Sequence, residues 1–333
     1  MKTDEEPNAI GLGALSDYLQ PDQMVNLAIE GEKNGFAHFW VAEHFSSGDA
    51  VAVLGALTRL TTRIKLASGV VGAATRHPAL TALTFSNLNR LSNGRVILGL
   101  GTAVLAWMDQ MGLNHEKPLL LLSEAFTIIR GLLDGEKVNF EGEYFKARNM
   151  QLKWGPAKPR VPIYLAGVGP RMVGLGVAKA DGILLSAGSS LKYLREIRPA
   201  VSEGLKKREI PGKAALASFV FCSMGGDDSM AIDAALGILS RPGRAELLLE
   251  QGTYSPARLE RLVAEAKQGR VDLAKAELTD EMIDQIVVRG TASRCEDELR
   301  AMVREGLDAP IVMPVCREPY LTMELGRRFS GGS

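Results

Sequence analysis

Short continuous apolar runs alternate along this chain with longer segments in which apolar positions recur every three or four residues. The runs NAIGLGAL (8–15), FAHFWV (36–41), IKLASGVV (64–71) and VILGLG (96–101) come first; PIYLA (162–166), GILL (182–185), ASFVFCSM (217–224) and PIVMPV (310–315) follow. Their length and content of β-branched and aromatic residues predict strands buried on both faces. The stretches between them predict helices with ordinary punctuation. Pro21 and Pro78 stand at first helical positions, Asp49 is an N-cap for the helix to residue 60, and Gly35 and Asn93-Gly94 are stops. Further helices are expected over 118–133, after Gly169, over 227–239 and 291–305, and from 317 to 329.

Eight strands, each followed by a helix, favour a closed parallel (β/α)8 TIM barrel over an open doubly wound sheet. Two segments interrupt the alternation. Residues 134–159 alternate like a hairpin with Glu141-Gly142 at its turn, and residues 240–288 read as helical, charged and broken at Pro242, Gly252, Pro256 and Gly269. Both read as insertions in one domain spanning 1–333.

The turn Gly167-Val-Gly-Pro170 links the fifth strand to a helix. Its glycines allow close approach of a ligand, and a helix N-terminus suits a phosphate or carboxylate. The same glycines equally serve tight packing of strand against helix.

Composition narrows the chemistry. Apolar residues make up 46% of the 333, and 39 basic residues balance 39 acidic ones, so a large core is available and nothing points to nucleic acid or an anionic membrane. No run approaches a membrane span, and the acidic start MKTDEEPN has no signal-peptide core. Cys222, Cys295 and Cys316 have no metal-type spacing and read as reduced thiols of a cytoplasmic protein.

In such a barrel the active-site residues lie where strands end. Those positions are Gly13-Ala14-Leu15, Glu43-His44, Ser68-Gly69-Val70, Gly101-Thr102, Gly167-Val168-Gly169 and Ser186-Ala187-Gly188. Mostly small, they leave a wide, flat cavity edged by backbone groups, suited to a planar cofactor. They contain no carboxylate pair, Ser-His-Asp set or metal-ligand cluster. His44 alone of four histidines sits at a strand's catalytic end, either as a proton-shuttling donor or as a loop residue bonded to its neighbours. His38, His77 and His115 read as structural. Glu43 is a strand-end ion-pair partner or a barrel-bottom residue, depending on its direction. Trp107, Met108 and Met111 cover a cofactor or pack the core. Gly11-Leu-Gly13 and Gly99-Leu-Gly101 do not extend to a dinucleotide fingerprint.

Taken together, WVAEHF (40–45), LNRLSNGRVILGLG (88–101), PIYLAGVGP (162–170), Ala180-Asp-Gly182, the insertion GEKVNFEG (135–142) and Gly290-Thr291 resemble the bacterial-luciferase-like superfamily across nearly the whole chain. The tract 167–188 is most similar to its deazaflavin-dependent reductase branch. The resemblance implies a barrel that binds coenzyme F420, a 5-deazaflavin, or alternatively FMN, at the strand C-termini. It implies a bulge at Ser68-Gly69-Val70 with a cis peptide between Gly69 and Val70. His44 matches the position beside the ring edge and would be catalytic. Glu43, His44, Ser68, Gly69, Val70, Gly101, Thr102, Ala166, Gly167, Val168, Gly169 and Ser186 would contact the cofactor, with no metal. Ala103-Val104 stands where some deazaflavin dehydrogenases carry a catalytic glutamate, which weakens any assignment that needs that acid. The implied activity is hydride transfer between reduced F420 and a small organic substrate. The alternatives are an FMN-dependent two-component monooxygenase fed by a partner reductase, or a non-catalytic flavin-binding protein. A dimer or tetramer of identical chains is also implied.

Overall fold

The computed structural model describes residues 9–113, 116–241 and 243–331; Asn8, His115 and Pro242, named above, lie outside them. The chain opens with β1 (Gly11–Ala14), α1 (Pro21–Lys33), β2 (His38–Val41), α2 (Ala50–Leu60), β3 (Lys65–Ser68), β4 (Val71–Gly72) and α3 (Pro78–Leu91). Next come β5 (Val96–Gly101), α4 (Leu105–Gln110), α5 (Pro118–Leu133), the hairpin β6 (Val138–Glu141) and β7 (Lys146–Met150), then β8 (Ile163–Ala166), α6 (Pro170–Lys179) and β9 (Gly182–Leu185). After α7 (Leu191–Glu196) and α8 (Arg198–Lys206) runs β10 (Ala215–Ser223), followed by α9 (Ser229–Leu239), α10 (Arg244–Leu248), α11 (Pro256–Lys267), α12 (Val271–Ala276) and α13 (Asp280–Ile286). The chain closes through β11 (Val287–Arg289), α14 (Ala292–Arg304), β12 (Ala309–Pro314), a 3-10 turn at Pro319–Thr322 and α15 (Met323–Ser330).

Parallel pairing runs β1–β2–β3–β5–β8–β9–β10–β12 and returns from β12 to β1, closing the eight-stranded barrel that the apolar runs predict. The helix punctuation follows local chemistry. Asp49 accepts the N–H groups of Val51 and Ala52 at the start of α2, and Asn93 and Gly94 take positive φ after α3. The motif Ser-Asn-Gly-Arg95 has a local purpose. The Arg95 guanidinium donates to the carbonyls of Thr58, Thr61 and Ile64, gathering the free end of α2 and the turn into β3.

Two details differ from the sequence expectation. The connection between β5 and the helix expected over 118–133 contains the six-residue α4, too short to show a helical period. The segment 240–288 is not wholly helical, because its last two residues, Val287 and Val288, begin β11. β10 pairs with β9 over Ala215–Ser218 and with β11 over Phe221–Ser223, so the two β-branched residues take up the hydrogen bonds left open where β9 has ended.

The register explains the expected bulge. Ala67 lies opposite Ile97 and Val71 opposite Leu100, so Ser68, Gly69 and Val70 face only Leu98 and Gly99. The Gly69–Val70 peptide is cis.

His38 and His77 do structural work. His77 caps α3 by accepting the N–H of Ala79. His38 is buried in β2, accepts the indole N–H of Trp40 at 3.3 Å, and is pushed down to about 3 by burial, with Lys65 adding to the shift. Its unfolded pKa is near 6.5, so between pH 6.5 and 3 the unfolded chain holds a proton there that the fold does not. The stability it contributes is complete above 6.5 and falls as pH drops, by about 1.4 kcal/mol per unit at full slope. Urea unfolding of His38→Gln across that window is expected to show a shallower pH dependence than wild type; parallel curves would contradict this.

No helix among the described residues is long and apolar enough to cross a membrane. Cys222, Cys295 and Cys316 are buried and unpaired by disulfides, and no metal-competent group of three His, Cys, Asp or Glu occurs among the described residues.

Candidate active site

The strand C-termini open into a cavity of about 520 Å³. The structure brings to its wall Glu43, His44, Gly69, Val70, Gly101, Thr102, Ala166, Gly167, Val168 and Ser186, ten of the twelve positions named from the sequence. The other two stand apart. Ser68 is fully buried with its hydroxyl turned into β5, donating to the Gly99 carbonyl at 2.9 Å and accepting the Gly99 N–H at 3.0 Å. It clamps the bulge, and its hydroxyl is not free for a ligand. Gly169 is the exposed N-cap of α6, at the rim and outside the lining.

The floor is shaped by small residues against the bulge. A Cβ on Gly101 would approach Val70 Cγ2 to 2.7 Å, and one on Gly69 would strike the Phe219 ring. Phe219 packs edge-on to Trp40 at 6.1 Å, so the bulge rests on a rigid aromatic layer. The result is a flat-bottomed slot with Val70 standing into it.

His44 forms one side. Its ring lies 4.0 Å from Trp107 in an edge arrangement and stacks on Phe45 at 5.3 Å, which fixes the imidazole plane. Its Nδ1 accepts the N–H of Ser46 at 3.2 Å, with the Ser46 hydroxyl at 2.8 Å. An Nδ1 that accepts assigns the proton to Nε2, which stands 3.8 Å from Asp17 Oδ1. His44 is therefore set to donate from Nε2. Trp107 and Met111 line the cavity, while Met108 belongs to the core.

Glu43 also lines the cavity rather than the barrel bottom. Burial, and then the Asp49 carboxylate, push its carboxyl above the usual range; Arg76 and the Gly72 N–H oppose them. Its Oε2 is buried without a partner in the protein. Such an atom carries a desolvation cost that a bound polar edge would remove. The slot, the orphaned carboxyl oxygen and the His44 donor together suit a planar heterocycle with a polar rim.

Several lining residues were not legible in the sequence. Asp17 and Tyr18 come from the loop after β1, Phe219 and Phe221 from the upper half of β10, and Arg241 and Arg244 from the segment after α9. Strand-end position could have flagged the two phenylalanines; the other four come from the stretches after β1 and α9, which carry no chemical motif.

These features define a barrel oxidoreductase cavity of the flavin-binding kind. The chain belongs to the luciferase-like monooxygenase family, whose model matches residues 7–309. It is 31% identical over 293 residues to 5,10-methylenetetrahydromethanopterin reductase of Methanolobus tindarius, covering 86% of this chain and 87% of that one. It is 27% identical to the F420-dependent glucose-6-phosphate dehydrogenase of Kineococcus radiotolerans, covering 95% and 93%. The solved coenzyme F420-dependent tetrahydromethanopterin reductase of Methanopyrus kandleri superposes with a TM-score of 0.83 at 25% identity, covering 96% and 98%.

Proposed function

We propose that this protein is an oxidoreductase that transfers a hydride between reduced coenzyme F420 and a small organic substrate. The observation that carries the reading is the slot between the Gly69–Val70 bulge and His44, in a chain whose relatives of near-equal length are F420-dependent enzymes. When bound, the deazaflavin supplies a carbon-borne hydride and little reactivity toward oxygen.

The protein's own contribution is position and charge. Val70 and the bulge would support the ring from the strand side, and Gly101 keeps the neighbouring wall low enough for it to seat. Glu43 Oε2 would meet the polar ring edge, and Nε2 of His44 would donate to charge developing there. The backbone from Ala166 to Val168, next to the N-terminus of α6, would receive the anionic arm of the cofactor. Ala103 and Val104 bring no acid to the cavity, so proton handling falls to the His44 side. Hydride transfer needs alignment of donor and acceptor above all, which a rigid slot supplies.

Helices α10 to α13 would cover the cavity, to whose lining Arg241 and Arg244 contribute. A cytoplasmic setting accords with the three free thiols, and we expect the chain to assemble with identical copies, independent of nucleic acid or membrane. Neither an FMN-dependent monooxygenase with a partner reductase nor a non-catalytic flavin carrier has an observation of its own in this cavity. The test is anaerobic: protein, reduced F420 and a panel of pterins, imines and activated alkenes, following return of the oxidised cofactor's visible absorption. Oxidation dependent on one substrate class is expected. Inertness across the panel, with reduced FMN and oxygen giving an oxygenated product instead, would overturn the reading.

A further inference from the structure

Arg241 and Arg244 stand out among the charged groups near the cavity. Both line it, and the Arg244 N–H donates to the Arg241 carbonyl at 3.2 Å. The other arginines of the same segment are committed. Arg258 and Arg261 reach Glu277, and Arg270 is held by Glu265. Arg289, which follows it, holds Asp228, Asp280 and Asp284. Among the described residues no carboxylate forms an ion pair with Arg241 or Arg244. Asp233 shares the cavity, but its carboxylate is taken by Lys275 at 2.5 Å.

Two like charges held together in a partly closed cavity repel each other and lose solvent. Enclosure lowers both guanidinium pKa values, and the charge of Arg241 lowers that of Arg244 further. Both remain cationic at neutral pH. An arrangement of this kind is relieved by an anion that bridges the two planar forks. Its position is informative as well. Arg244 lies within electrostatic reach of Tyr193, whose hydroxyl donates to the Val168 carbonyl at 2.7 Å, so the pair sits beside the loop that leads into α6.

We infer that Arg241 and Arg244 form an anion subsite on the cover, which grips a phosphate-class group of a molecule bound in the barrel. This deepens the hydride-transfer reading and rests on it only for the identity of the bound molecule. The anion has two possible carriers, the phosphate-bearing arm of the cofactor or a phosphorylated substrate above it, and the same chemistry recognises both.

The test compares wild type with the double variants Arg241→Gln/Arg244→Gln and Arg241→Lys/Arg244→Lys, checked for equal thermal midpoints. Each is titrated with F420, with the parent deazaflavin lacking the phosphate arm, and, once loaded with cofactor, with inorganic phosphate. Wild type is expected to discriminate for phosphate by about tenfold or more, the glutamine pair to lose that discrimination, and the lysine pair to retain part of it. Loss of the preference for F420 over its parent assigns the anion to the cofactor; loss of inorganic phosphate binding alone assigns it to the substrate. If no deazaflavin binds, the hydride-transfer reading fails, and FMN against riboflavin with phosphate on the unloaded protein reads the arginines independently. Equal binding of phosphate-bearing and phosphate-free ligands, and of phosphate itself, by wild type and glutamine variant would overturn the inference.

Discussion

Gly99→Ala is expected to cost about 3 kcal/mol or more of stability and to abolish cofactor binding in whatever protein still folds. Gly99 is a buried residue of β5 and is not among the glycines with positive φ, so the objection is steric rather than conformational. A methyl group there would collide with the Ser68 carbonyl oxygen, a backbone atom with no rotamer to change. The Ser68 hydroxyl is bonded to both the N–H and the carbonyl of Gly99, so the two strands cannot part without breaking two buried hydrogen bonds. Relief would have to come from displacing the bulge that carries Val70 into the cavity. Urea unfolding and cofactor titration of the variant check both halves. A variant with wild-type stability and affinity would show that the bulge accommodates the methyl group freely.

His44→Asn is expected to lower turnover by about 100-fold to 1,000-fold while leaving cofactor affinity within a few-fold. Asparagine can still accept the Ser46 N–H in place of Nδ1, but it brings no donor to the Nε2 position, cannot cycle a proton, and loses the edge contact with Trp107. In the histidine, Nδ1 is occupied by Ser46 and Nε2 lies near Asp17, so one nitrogen is committed and the other is free to act on a bound ring. A Michaelis–Menten series alongside a fluorescence titration separates the two effects. Equal losses in turnover and affinity would make His44 a binding residue.

The barrel was legible because its strands are continuous apolar runs. VILGLG in β5 is buried at all six positions, and a run of that kind has few alternatives. The bulge and the cis peptide at Gly69–Val70 were legible only through family resemblance, since the run IKLASGVV reads as an unbroken strand. Of the twelve residues that the resemblance implies, ten line the cavity. Ser68 stands off it because the bulge begins there and its hydroxyl is consumed by Gly99. Gly169 stands off it because it is the exposed cap of α6. Arg241 and Arg244 could not be found by inspection. Their significance lies in the carboxylates that do not pair with them, and pairing across a folded insertion has no sequence signature. β11 was hidden for a related reason: three residues form a strand only because β10 outruns β9.

The central claim, that this cavity is built for a deazaflavin, is tested most directly by titrating the purified protein with F420 and with FMN, each oxidised and reduced, following tryptophan fluorescence. Trp107 lines the cavity and reports its occupancy. The account predicts tight binding of F420, with FMN weaker by orders of magnitude. Preference for reduced FMN would contradict it and direct attention to oxygen chemistry, and binding of neither would remove the cofactor site altogether.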